Sequence, residues 1–240
     1  MRGGRIAGMG EVRGQVTAGV LGRSLVSLAV FLLVLGLALF VPGGIGWWQG
    51  WLFVVVFVLE IALAALYLWH KNPEIFVARS KIHAGTKPWD KVVVPFLISS
   101  LMAIFPVAGL DHRFQWSSVP IWLILLGYGL VTLGMLGSVW AEAANKFAEP
   151  SVRIQIERGH AVVDAGPYRF VRHPMYATAF FLFFGFALAL RSLWAFVPAA
   201  VASLILILRT ALEDRTLRNE LPGYKEYSSR VRYRLVPGVW

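Results

Sequence analysis

Cysteine is absent from the 240-residue chain, which excludes disulfides, cysteine-ligated zinc, iron–sulfur clusters and thiol nucleophiles. Charge is scarce as well: 15% of residues are Asp, Glu, Lys or Arg while 58% are apolar, against about 25% charged in an ordinary soluble domain. Such a chain lacks the polar surface to cover itself in water. The histidines, His70, His83, His112, His160 and His173, show no metal-ligand spacing, and no metal is expected. No Gly-x-Gly-x-x-Gly fingerprint joins a strand to a helix, so any nucleotide-like cofactor binds outside a Rossmann site.

What the chain has instead is long apolar blocks, at 24–41, 47–69, 92–110, 119–140, 175–190 and 192–208. Each is near the roughly 20 residues that cross a bilayer as a helix. The expected fold is all-α and integral to the membrane, with about six transmembrane helices. One straight helix over 174–208 would run about 52 Å at about 1.5 Å per residue, against roughly 30 Å of hydrocarbon. The last two blocks are therefore expected to form a hairpin turning near Leu190-Arg191-Ser192.

A net charge of +10 raises nucleic acid as a partner, and the placement of the charges decides against it. Alternate polar stretches hold 21 of the 23 Lys and Arg residues. That is the positive-inside pattern, which puts both termini and the two long loops in the cytoplasm. The bilayer is the expected partner, with an attraction to anionic lipid second. The first block has no small-x-small cleavage site and leads straight into a second span, unlike a cleaved signal peptide. Trp47, Trp48, Trp69, Trp116, Trp140 and Trp194 sit at block ends, as interfacial belts prefer. Glu60 lies well inside a span, either bonded to a neighbouring helix or functional. Gly127, Gly129, Gly134 and Gly137 permit close helix approach.

The densest polar chemistry is in 142–173 and after Leu208. Val152-Arg153-Ile154-Gln155-Ile156 alternates as a short strand or extended segment would. Gly159, Gly166 and Pro167 bracket a β-prone run. Pro174 suits the first turn of a helix, with His173 and Tyr176 near one face of it. Arg209 and Glu213 are one turn apart where the last block leaves the membrane, and the helix should stop by Leu221-Pro222-Gly223. A pocket at the cytoplasmic boundary follows. On residue chemistry alone, Arg209 and Arg172 also read as snorkelling anchors, with Glu213 a salt-bridge partner.

The strings Gly166-Pro167-Tyr168-Arg169-Phe170-Val171-Arg172-His173-Pro174-Met175-Tyr176, Arg209 with Glu213-Asp214 and Leu217, and Leu221-Pro222-Gly223-Tyr224-x-x-Tyr227 closely resemble the isoprenylcysteine carboxyl methyltransferase family. They are also similar to the wider group that includes phospholipid N-methyltransferases. The resemblance spans 145–240. It divides the chain into a cytoplasmic tail at 1–23, four transmembrane helices at 24–141 and a methyltransferase core at 142–240. It implies S-adenosylmethionine as cofactor, contacted by Gln155, His160, Ala161, Val162, Val163, Tyr168, His173, Pro174, Met175, Tyr176 and Glu213. Arg209 matches the position given to the substrate, and it and His173 are the expected catalytic residues. Two departures are that Gln155 stands two residues closer to His160 than in eukaryotic members, and that Asp214 replaces a second Glu.

The implied activity is methylation of a lipophilic or lipid-modified acceptor, a prenylcysteine-like carboxylate ahead of a phospholipid amine or small thiol. A small transporter and a lipid-binding scaffold are the non-enzyme alternatives. The implied location is the inner membrane of a prokaryote or the endoplasmic reticulum of a eukaryote. Nothing in the sequence bears on oligomeric state.

Overall fold

The computed structural model describes residues 18–79 and 85–240. The expectations for Arg2, Arg5, Arg13 and the loop around His83 lie outside the described residues. The rest is all-helical, and no strand occurs among the described residues. The helices are α1 (Ala18–Gly43), α2 (Trp48–Lys71), α3 (Glu74–Arg79), α4 (Pro88–Phe114), α5 (Ile121–Ala144), α6 (Pro174–Ala189), α7 (Phe196–Glu220) and α8 (Tyr224–Arg230). Five of them, α1, α2, α4, α5 and α7, are long and apolar enough to cross a membrane. The sixth expected span, α6, has 16 residues, about 24 Å at about 1.5 Å per residue. It is short because Arg191 turns the chain with a φ of 61°, and the hairpin with α7 forms where expected.

Boundaries depart from the sequence expectation at α4. Asp90 and 111–114, expected in loops, are helical. Pro88 occupies the first turn, where its missing N–H costs nothing, and Asp90 complements the positive end of the helix dipole. The α3 helix was not expected at all. Residues 152–155 carry no regular secondary structure, lead into a 3-10 turn at Ile156–Arg158 and pair with no strand among the described residues.

Glycine sets the tightest packing, between α5 and α6. A Cβ on Gly127 would lie 2.4 Å from the Ala189 backbone nitrogen, and one on Gly137 would lie 2.3 Å from Thr178 Cγ2. Gly134 is similarly closed by Leu182, whereas Gly129 faces open space and takes no part. Phe53, Phe57, Phe105 and Phe186 meet at ring separations of 5.2–6.0 Å in the core between helices. Leu33, Leu63, Leu125 and Leu204 point outward and exposed, as lipid-facing residues do. Trp48, Trp116, Trp140 and Trp194 are exposed, but Trp47 is buried and stacked on His112 at 4.7 Å.

At the end of the molecule away from most of the basic residues, Asp111 accepts hydrogen bonds from Ser117 Oγ (2.6 Å) and Ser192 Oγ (2.5 Å). It thereby ties α4 to the hairpin turn. Glu60 accepts a 2.5 Å bond from Thr132 of α5 with one oxygen, and its other oxygen is buried without a partner among the described residues.

The glycine contacts make a paired prediction. Gly127→Ala forces backbone apart and should destabilise by about 1–3 kcal/mol, the usual cost of overpacking. Gly129→Ala should be neutral or slightly stabilising. Thermal unfolding of both variants in detergent checks this, and equal losses would contradict it.

Candidate active site

Three segments converge at the basic end of the bundle: the loop from Asn145 to His173, the first turn of α6, and the α7–α8 junction. The loop folds back on itself through Gln155. Its Nε2 donates to the Phe147 carbonyl (2.7 Å), its Oε1 accepts from Arg158 (2.7 Å), and its carbonyl accepts from the His160 N–H (3.2 Å). Gln155 is 2% exposed, so this amide is spent on shaping the loop. His160 packs its ring on Phe147 at 4.7 Å. Burial lowers its pKa from the ordinary histidine value, which keeps the imidazole neutral at pH 7.

The run after His160 is different. Among the described residues, no N–H or carbonyl of Ala161, Val162 or Val163 makes a hydrogen bond. These half-buried or exposed groups form an open edge along the cleft. No partner strand arrives to use them. Tyr168, on the far side of the cleft, is locked at both ends: its hydroxyl meets Asn145 Nδ2 at 3.0 Å, and its carbonyl accepts from Tyr227 at 2.7 Å. Burial pushes its hydroxyl up to about 12, so it stays protonated.

The hairpin contributes the charged wall. Tyr176 donates a 2.6 Å hydrogen bond to Glu213 Oε2 across α6 and α7. His173 stacks on Tyr176 with ring centroids 5.7 Å apart and planes 5° from parallel. Its Nδ1 is 3.9 Å from Glu213 and its Nε2 is 3.5 Å from Asp214. The Nε2 contact is too long and poorly aimed for a hydrogen bond, and that atom is buried without a partner among the described residues.

Gln155, His160, Ala161, Val162, Val163, Tyr168, His173, Met175, Tyr176 and Glu213 all line this one cleft. Pro174 does not; it is buried and opens α6. Arg209 also stands apart. Its Nε and NH2 bond Asp90 at 2.9 and 3.3 Å, NH2 reaches the Pro150 carbonyl at 2.7 Å, and its guanidinium lies 5.3 Å from the Tyr176 ring centre. The Nε and NH2 edge of Arg209, whose position the resemblance gives to the substrate, is engaged by Asp90 in this structure. The snorkelling alternative fails too: Arg209 and Arg172 are 6% and 3% exposed. Glu213 pairs with Tyr176 in place of Arg209.

Two carboxylates have roles that sequence reasoning did not assign. Asp90 joins α4, the loop and α7, since it also accepts from the Val152 N–H at 2.7 Å. Proline followed by an acid marks a helix start and was the available signal. Asp214 is fully buried and receives Arg172 (2.7 and 3.1 Å), Arg234 (2.9 Å) and the Tyr224 hydroxyl (3.1 Å).

Residues 122–221 match the family model described as phospholipid methyltransferase. The match covers just over two-fifths of the chain and holds every cleft residue named above from Asn145 to Glu213. It bears out the resemblance drawn from the motifs and supports a membrane methyltransferase. No curated protein matches the chain.

Asp214→Asn should leave the buried Arg172 without its counter-charge. Losing one partner of a buried pair costs about 3–5 kcal/mol. The loop and the tail after α8 should then become protease-sensitive before the helix bundle does, which limited proteolysis in detergent reads directly. An unchanged digestion pattern would show that Asp214 does not hold them.

Proposed function

We propose that this protein transfers a methyl group from S-adenosylmethionine to a lipophilic acceptor at the basic, cytoplasm-facing end of the bundle. The observation that carries this reading is the meeting of ten residues, expected from the motifs to contact the cofactor, around one cleft. They come from stretches up to 58 residues apart in sequence, Gln155 to Glu213.

The chemistry of the cleft suits such a cofactor. The unpaired backbone edge of Ala161, Val162 and Val163 offers donors and acceptors beside apolar side chains, as an adenine needs. Glu213 supplies negative charge for hydroxyls or an ammonium, and the Tyr176 hydroxyl fixes that carboxylate in place. The ring of Tyr168 provides a face that attracts a cation, while the faces of Tyr176 are taken by His173 and Arg209. When bound, the cofactor supplies an electrophilic methyl on a sulfonium and leaves as a neutral thioether. The protein's part is to orient the reactants and keep water out, which alone lowers a transfer barrier by several kcal/mol, of order 7–11 in well-aligned cases.

A carboxylate acceptor of the prenylcysteine kind is ionised at neutral pH and needs no base. Arg209 then acts through Tyr176, holding its ring against His173. A phospholipid amine is the second reading, favoured by the description of the matching family. That acceptor must lose a proton, for which His173 or Glu213 serves only where the cofactor does not occupy it. A transporter accounts less well for polar chemistry gathered at one end, and a scaffold leaves the cleft without purpose.

Incubation with methyl-labelled cofactor and three acceptors, a prenylcysteine analogue, phosphatidylethanolamine and a small thiol, tests the reading. Label released as methanol by alkali identifies a carboxyl ester, the expected product. Alkali-stable label in the phospholipid selects the second reading. No label in any acceptor, with the wild-type protein folded, contradicts methyl transfer.

A further inference from the structure

We propose that Arg79 and Glu142 form the site that receives the anionic head of an amphiphilic acceptor, whose chain lies in the adjoining crevice between α1, α2 and α5. This rests on the methyltransferase reading and adds an acceptor contact outside the cleft.

The cleft and the crevice meet at α3. That helix packs against the cofactor loop, with Glu74 3.1 Å from Arg158. At its far end, Arg79 NH2 lies 2.9 Å from Glu142 of α5 and 3.5 Å from Met175 Sδ. Met175 lines the cleft, whereas Arg79 and Glu142 line a separate crevice of about 360 Å³. A head group on Arg79 is therefore one side chain away from the cleft.

The crevice is shaped for a chain. Ile61, Ala64, Ala65, Leu68, Met135 and Val139 form its wall, and they occupy about two turns of α2 and one of α5. Polar groups are confined to Ser24, Ser27, Ser138 and the Arg79–Glu142 mouth.

Among the described arginines at the cleft and the crevice, Arg79 has the most donors left for the head. Around the cleft, Arg153 is held by Glu149, Arg172 by Asp214, and Arg209 by Asp90. Arg158 is divided among Gln155, Glu74 and the Lys146 carbonyl. Among the described residues Arg79 has only the NH2 contacts given above, its Nε and NH1 bond nothing, and its side chain is 36% exposed. The bidentate edges of a guanidinium, Nε with NH2 and NH1 with NH2, both include the nitrogen that Glu142 holds, so a carboxylate or a phosphate oxygen pair grips Arg79 by sharing or taking Glu142's place at NH2. Glu142, with its side chain 12% exposed, holds Arg79 at the mouth and competes with the incoming anion.

Two sources present this chemistry: a terminal carboxylate that itself accepts the methyl, and the phosphate of a lipid whose amine accepts it. Calorimetry on the purified protein in a neutral detergent, with dodecanoate, dodecyl phosphate and dodecanol as probes, separates them by which anion binds tighter. Arg79→Gln should weaken both anions about ten-fold, the worth of a charge-assisted hydrogen bond, and leave dodecanol unmoved. Arg79→Lys should recover part of the loss. Glu142→Gln should tighten both anions by removing the competitor. Anion and alcohol shifting together, or no tightening in Glu142→Gln, overturns the proposal, and the second result does so even if Arg79→Gln fails to fold. Labelled S-adenosylmethionine binding is measured on the same wild-type sample. Absence of cofactor binding alongside Arg79-dependent anion binding would remove the methyltransferase reading and leave the anion site standing.

Discussion

The candidate site depends on one buried carboxylate. Asp214 lies within α7, and it gathers a guanidinium from the loop, another from the tail and a hydroxyl from α8. Arg172 in turn spends its remaining donor on the carbonyls of Val231 and Arg232. The backbone N–H groups of Arg172 and His173 reach Tyr233 and Arg234 at 2.9 Å. Ionic groups taken out of water need this degree of mutual satisfaction to repay desolvation. The geometry that results fixes where α6 begins, and so where His173 and Tyr176 stand.

A second node transmits the bundle to the cleft. Asp90 sits in the first turn of α4, yet bonds Arg209 of α7 and the Val152 N–H of the loop. Arg209 in turn lies over Tyr176, which holds Glu213. Substitutions at the start of α4 are thus connected to the cleft through four side chains in contact. The tight α5–α6 seam beneath supplies the rigid platform, because glycines leave backbone against backbone with little freedom to shift.

Much of this was legible in the sequence. Apolar blocks gave the spans, and charge that is rare elsewhere marked His173, Arg209 and Glu213 by its concentration. The hairpin followed from length alone. Long-range pairings were not legible: Asp90 and Arg209 are 119 residues apart, and no periodicity links them. Asp214 read as a departure from a family pattern, when it is the residue on which the loop and tail converge. The β-prone run at 160–164 has strand composition, but no second strand exists in the described structure to pair with it. Its β-branched residues line an open backbone edge instead of a sheet. Arg209 was assigned to the acceptor by position, and its pairing with Asp90 was not legible because a guanidinium's partners are set by the fold around it.

The account stands on the cleft being where S-adenosylmethionine binds. Ultraviolet crosslinking of the radiolabelled cofactor to the detergent-solubilised protein, followed by peptide mapping, tests this most directly. Saturable label confined to peptides within 145–176 and 213–227 is the predicted result. Saturable label in α1, α2 or the end of the bundle around Asp111, or none that excess unlabelled cofactor displaces, would contradict it.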